Sequence, residues 1–389
     1  MAVSVEARDG NLNMIGPIVW DKVDLISRYN QVGAWTLTLP ATPQNWALAN
    51  VSNLGILVDW NGVYTFSGYL ETWAPSRAIA DNGAVIDTIT LSGADDLGLI
   101  ANRIAYPVPA SPWAAQTAGA SDAQTGVCET VIKHFVNVNA GPGALVARRA
   151  PHLTIATDLA RGTTVSFTAR IQDGTDIALM SIIRLLVATG GPMGVKVTQT
   201  GANLVFDVYV PRDLHDLAWF SPQLGNLRTF SLTDSTPTAT SALVRGSTAF
   251  TEISSADASN AWRHAEVLVD QAGSTDATQM TQAGTDAITQ GAGAAQLQLQ
   301  IVDLPLLRFG ADYGLGDRVT VEIRNGVSYA DIVTAVQLVA DSSGSNYVET
   351  VTPTIGAAGS DSSGDATATA RLAAEVRALR KALQRLQAV

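Results

Sequence analysis

Cysteine is nearly absent: Cys128 is the single thiol in 389 residues, and only four histidines accompany it. One thiol excludes an intramolecular disulfide framework and a multi-thiolate metal site. His134, His152, His215 and His264 are scattered, with no two at ligand spacing. Charge is sparse as well, at 15% of residues, and its balance is −11. The segment Arg371 to Val389 holds five basic residues against Glu375, a net of +4, which leaves −15 on the remainder. So acidic a body does not grip nucleic acid phosphates, although it suits a surface past which DNA slides. No uninterrupted apolar run reaches membrane-spanning length, and the opening Met1 to Glu6 lacks the charged and apolar regions of a signal peptide. A soluble chain without a membrane-spanning segment, made in the cytoplasm, is expected.

What is present is apolar content, 47% of residues, enough to bury several small cores and to exclude disorder. Such a length predicts two to four domains. The organising stretch is Tyr313 to Val321, where the chain returns, after a long interruption, to the short alternating strands of its beginning. That return points to an interrupted β-barrel core.

Residues 1 to about 105 read as β-rich. Trp35, Leu37 and Leu39 alternate with Thr36 and Thr38 until Pro40 ends the strand. Ile56 to Trp60 and Val63 to Phe66 flank Asn61-Gly62, which predicts a hairpin with a type I′ turn. A strand from Ala84 to Leu91 leads to Gly93 to Ile100, read as a helical turn with Asp95 and Asp96 in its first turn. Catalytic or metal-ligating carboxylates are the other reading of that pair.

Residues 106 to 220 change to mixed α and β. Ser121-Asp122 reads as a helix cap, followed by Val127, Val131 and Phe135 at helical spacing. Thr163 to Ile171 alternates as a strand, and Asp173 reads as the cap of a buried helix, Ile177 to Thr189. Gly190-Gly191-Pro192 stops it, and Val195 to Thr198 pairs with Leu204 to Val210 around Gly201. Strands then follow at Leu227 to Leu232, Ala242 to Arg245 and Ala265 to Val269. A polar helix from Thr275 to Gln290 and a strand from Leu297 to Val302 complete a third small lobe. Asp317 to Ile323, Asp331 to Leu338 and Ser345 to Val351 resume the β core, with Asn325-Gly326 as a second hairpin signal.

Beyond Pro353 the composition is that of a linker, and it leads to a helix. Leu372, Val376, Leu379, Leu383 and Leu386 fall at alternating spacings of four and three. Val376 and Leu383 take a positions, the other leucines d, and Glu375 and Arg380 the g and e positions that pair between parallel helices. A self-associating coiled coil is expected, against the alternative of a helix packed on its own body.

Candidate chemistry is thin. Cys128 and His134 fall on opposite faces of one predicted helix, so they make no dyad, and Cys128 reads as a buried small hydrophobe. Gly190 to Gly194 resembles a phosphate loop but follows a helix and lacks Gly-Lys-Ser/Thr, so it reads as a helix stop. The eight tryptophans, among them Trp20, Trp46, Trp60, Trp73 and Trp113, read as core and interface anchors; a carbohydrate platform is the alternative. No catalytic, cofactor-binding or metal-binding residue is assigned, and no enzyme is expected.

The ordered motifs Gly33-Ala34-Trp35-Thr36-Leu37-Thr38-Leu39-Pro40, Phe66-Ser67-Gly68, Gly93-Ala94-Asp95-Asp96-Leu97 with Arg103, Trp262-Arg263-His264-Ala265-Glu266 and Gly314-Leu315-Gly316-Asp317-Arg318-Val319 carry a resemblance. Over nearly all of residues 1 to 355 the sequence resembles the minor tail proteins of long-tailed phages that infect actinobacteria, and through them the tail-hub family. The resemblance implies a β-rich α+β, multidomain hub fold with two β-barrel domains, two inserted α+β lobes and a C-terminal coiled-coil helix. The divisions are 1–105 (first barrel, completed by about 221–246), 106–220 and 247–310 (lobes), 311–355 (second barrel region), 356–370 (linker) and 371–389 (helix). It further implies a homotrimeric ring at the virion tail tip. Its partners are a distal tail protein, the tape-measure protein and other tail-tip or receptor-binding proteins, with DNA passing through the lumen without specific binding. Many relatives continue into fibres or cell-wall hydrolases; after this short helix no intrinsic lytic activity is expected. A cell-wall carbohydrate-binding module and a tail-associated hydrolase are the competing functions.

Overall fold

Alternation of inward and outward side chains turns most of the chain into strands. The computed structural model describes residues 3–79, 85–117, 119–171, 177–234, 236–270, 277–291, 295–301, 307–324, 327–343 and 346–356. The first region forms β1 (Ser4–Arg8), β2 (Met14–Pro17), β3 (Lys22–Arg28), β4 (Ala34–Pro40), α1 (Pro43–Ala49), β5 (Gly55–Trp60), β6 (Tyr64–Ile79) and β7 (Val85–Asp95). Trp35, Leu37 and Leu39 are buried along β4, as their alternation predicts. Asn61 and Gly62 both take positive φ, 57° and 72°, and the Val63 N–H donates to the Trp60 carbonyl at 3.1 Å, so the predicted hairpin forms. β6 runs through Pro75 to Ile79, well past the Phe66 expected from the sequence.

β7 also outruns its prediction, since Gly93, Ala94 and Asp95 pair with β4 and β6 rather than starting a helix. The helix that follows, α2, is Gly98–Ala101. Gly93 is required where three strands press together: a methyl there would overlap the Tyr69 carbonyl and come within 3.0 Å of the Trp35 ring. Gly93→Ala is therefore expected to cost about 3 kcal/mol, the upper range for overpacking a tight core. The check is a lower urea midpoint at unchanged slope.

An insert leaves the sheet after β7. It contains α2, β8 (Ser121–Val127), α3 (Cys128–Asn139), β9 (Leu153–Ile155), β10 (Thr164–Arg170), α4 (Leu179–Gly190), β11 (Gly194–Thr200) and β12 (Asn203–Tyr209). Ser121-Asp122 is not a helix cap. Those residues lie in β8, fully paired with β10 from Ser121↔Arg170 to Val127↔Thr164. The α3 N-terminus needs no side-chain cap because the Cys128 and Glu129 N–H groups donate to the Thr163 and Arg161 carbonyls at 3.0 and 3.1 Å. α4 ends at Gly191, φ 105°, and Gly201, φ 58°, turns β11 into β12, both as predicted. Val131, Phe135, Ile183, Leu186 and Phe206 are among the buried side chains of the insert's own core.

The chain then re-enters the large sheet with β13 (Trp219–Phe220) and β14 (Leu227–Asp234). A small lobe follows: β15 (Ser241–Arg245), β16 (Phe250–Ser254), β17 (Glu266–Asp270) and α5 (Ala277–Gln290). The remaining strands are β18 (Ala295–Ile301), β19 (Arg318–Arg324), β20 (Val327–Asp341) and β21 (Val348–Ile355). β18, expected to complete the lobe, instead pairs with β14 and β21 in the large sheet. Its buried Leu297, Leu299 and Ile301 alternate correctly for either place, because periodicity fixes a strand and not its neighbour.

The two ends of the fold meet at β20 and β3, paired from Ala335↔Arg28 to Asp341↔Lys22. The result is one thirteen-stranded sheet with the path β14-β18-β21-β20-β3-β4-β7-β6-β5-β1-β2, plus β19 beside β20 and β13 beside β19. Where two barrels are expected, the described strands make this continuous sheet, and no pairing among them closes it into a cylinder. The fold is β-rich with few helices. Asp173, Asn325-Gly326, the linker and the stripe from Leu372 to Leu386 with Glu375 and Arg380 lie outside the described residues.

Candidate functional site

Side chains able to do chemistry are dispersed and tied down. Cys128 opens α3 fully buried, and its thiol donates to the Leu186 carbonyl at 3.3 Å. Burial pushes the thiol up to about 12, so the nucleophilic thiolate is suppressed at neutral pH. A maleimide reagent is expected to leave the native protein unlabelled and to modify Cys128 fully once it unfolds, as mass spectrometry would show. His134 Nε2 meets Asp122 Oδ2 at 3.0 Å, His215 lies 2.6 Å from Asp213 and 3.2 Å from Asp216, and His264 lies 3.0 Å from Glu266. No two of these share a carboxylate, and among the described residues no three His, Cys, Asp or Glu side chains gather to hold a metal ion.

Asp95 and Asp96 do not form a first helical turn: Asp95 ends β7, and α2 begins only at Gly98. Asp95 Oδ2 accepts the Gly33 N–H at 2.8 Å, and burial raises its carboxyl to about 6. Asp96, 1% exposed, faces the buried Arg8 guanidinium and accepts the Ser67 hydroxyl at 2.6 Å. Arg8 also reaches the Gly68 carbonyl at 3.1 Å and Gln199 Oε1 of the insert at 2.5 Å. The pair thus joins β1, β6 and the end of β7 to β11. Sequence spacing offered no sign of this, since Arg8 lies far from Asp96 along the chain.

A second network sits inside the insert. Glu129 binds Lys133 at 2.7 Å and Arg161 at 2.8 Å, and it accepts the N–H groups of Leu159 and Arg161. A third network explains the Gly314-Leu315-Gly316-Asp317-Arg318 motif. Asp317 accepts the Gly314 N–H at 2.9 Å and the Arg212 guanidinium at 2.6 Å, while Gly316 takes φ 82° against the Tyr29 ring. The motif is a clasp between the returning chain and the insert.

Beside that clasp lies a cleft of about 450 Å³ lined by Tyr64, Asp95, Lys196, Tyr209, Arg212 and Asp317, among others. Burial pushes Tyr64 up to about 12 and Tyr209 higher still, so neither phenol serves as a base. The tryptophans build no flat platform. Trp35 and Trp60 are core, Trp46 and Trp73 meet edge to face at 84°, and Trp20 and Trp113 pack on Tyr347 and Tyr106. Trp262, 96% exposed, stands on the small lobe.

The surface best suited to assembly is backbone. Among the described residues β6 pairs with β5 only as far as Tyr69, and Thr72 to Ile79 pair with β7 alone. Every residue from Glu71 to Ile79 is exposed, and β7 extends beyond its pairing with β4 at Thr88. This ribbon presents a free strand edge, a ready template for another chain. The strand expected from the sequence stops at Phe66, whereas β6 continues through Pro75, a residue that an edge tolerates.

The whole arrangement is similar to solved phage tail proteins. One is the 43 kDa tail protein of prophage MuSo2 from Shewanella oneidensis: 15% identity, 90% of this chain and 97% of that chain covered, TM-score 0.53. Another is a tail protein from Neisseria meningitidis: 9% identity, 92% and 97% covered, TM-score 0.56. No curated protein matches the sequence. The fold is therefore one that solved phage tail proteins share. Residues 4–357 match the model of the Siphovirus ReqiPepy6 Gp37-like proteins, and the chain belongs to that family. Among the described residues no helix is long and apolar enough to cross a membrane.

Proposed function

We propose that this chain is the hub at the tip of a long, non-contractile tail of a phage infecting actinobacteria. Three copies form a ring that closes the tail tube, holds the distal tail and tape-measure proteins, carries tip or receptor-binding proteins, and opens for DNA ejection. The observation that carries this is the large sheet, continuous from β14 to β2, with the exposed segment 71–79 of β6, where Thr72 to Ile79 pair with β7 alone among the described residues. A ring needs a heterologous contact, in which one surface of each copy meets a different surface of the next. The free ribbon edge supplies one side of such a contact. The acidic body supports passage of DNA without retention. The proposed role needs no catalytic step.

Mass measurement and class-averaged electron microscopy on one concentrated full-length sample test the ring. Three chains around a central passage are expected. Activity of the purified protein on cell-wall material would favour a hydrolase instead.

A further inference from the structure

The small lobe is finished on one side only. Ala242 and Val244 of β15 are buried on the face that α5 covers, where Gly284 lies close to Val244 and Ile253. The opposite face is open: Leu243 is 43% exposed, and Phe250 and Leu268 are each 65% exposed. Leu243 sits between Glu252 and Leu268 across the three strands, and Arg245 between Phe250 and Asp270. The open face thus pairs an apolar centre with Glu252, Glu266 and Asp270, against Arg245 and the His264 ring 3.0 Å from Glu266. A sheet face of this kind is completed by an amphipathic partner of opposite charge.

The chain carries such a partner. Residues 371–389 have a net charge of +4 and the apolar stripe Leu372, Val376, Leu379, Leu383 and Leu386. As a helix that stripe spans about 21 Å, and the five-residue strands β15 to β17 span about 17 Å. The exit of the chain is in the right place. β21 ends at Ile355 paired with Leu297, and β18 begins two residues earlier, at Ala295, where the lobe rejoins the large sheet. From there residues 356–370 reach up to about 50 Å when extended.

We infer that the terminal segment 371–389 docks as a helix on the open face of its own chain's β15–β16–β17 sheet, making a helix–sheet–helix lobe. This goes beyond the tail-tip reading and does not depend on it. It also replaces the parallel coiled coil as the role of the stripe.

Full-length chains carrying Leu268→Cys with Leu379→Cys, or Leu379→Cys alone, are treated with a short thiol crosslinker and weighed under denaturing conditions. The buried Cys128 stays silent. A link within one chain is expected for the pair and none for the single variant, and Glu252→Lys with Glu266→Lys should abolish the link. Linking of two chains by Leu379→Cys alone would overturn the inference in favour of the coiled coil. If the pair does not link, methyl NMR of Leu243 and Leu268 decides. Their resonances shift in full-length Leu379→Asp/Leu383→Asp if the helix docks there, and unmoved resonances overturn the inference.

Discussion

Glu129→Gln is expected to destabilise the insert by about 3–5 kcal/mol, the usual cost of removing one partner from a buried ion pair. The glutamine keeps the shape and removes the charge. Lys133, 5% exposed, and Arg161 would retain Asp207 at 3.2 and 3.7 Å but lose the carboxylate between them. Burial alone would raise the Glu129 carboxyl, yet Arg161, Lys133 and two backbone N–H groups outweigh it and hold the group well below its ordinary 4.5. The sign follows: the contribution is complete above about pH 4.5 and is lost as the pH falls towards the depressed folded value. Urea unfolding at pH 7 should show the loss, and the variant should be less sensitive than the natural chain to acid below pH 4.5. Equal acid sensitivity in the two proteins would remove Glu129 from this role.

Asp96→Ala is expected to cost a similar amount, about 3–5 kcal/mol, but in a different place. It strands the Arg8 guanidinium in a site 2% exposed, with the Gly68 carbonyl and Gln199 as remaining partners, and removes the acceptor of the Ser67 hydroxyl. Because Arg8 bridges the large sheet to β11, hydrogen exchange should rise on β1, on β6 near Ser67 and on β11 together. Changing both partners, Arg8→Met with Asp96→Leu, should recover much of the loss, since an apolar pair leaves no charge unpaired. If the double variant is no better than Asp96→Ala, packing around Asp96 rather than its charge sets the cost.

Local chemistry was legible in the sequence wherever one residue decides. Asn61-Gly62, Gly190-Gly191 and Gly201 announced their turns because few side chains accept positive φ. The alternation of Trp35, Leu37 and Leu39 announced β4 for the same local reason. Partnership was not legible. Nothing near Leu297 tells whether β18 joins the lobe or the large sheet, and nothing near Asp122 tells a cap from a strand residue paired with Ala169. The β6 extension past Phe66 runs through Pro75, which breaks a central strand but not an edge. The candidate assembly surface is therefore defined only by how β5, β6 and β7 pair. The Arg8–Asp96 junction, formed between residues distant in sequence, was likewise beyond any local signal.

Gold-labelled antibody against the full-length chain, applied to intact virions and viewed by electron microscopy, tests the tail-tip assignment most directly. Label confined to the tail end far from the capsid, on a structure with three-fold symmetry, is the predicted result. Label distributed along the tube, or at the joint between head and tail, would contradict it.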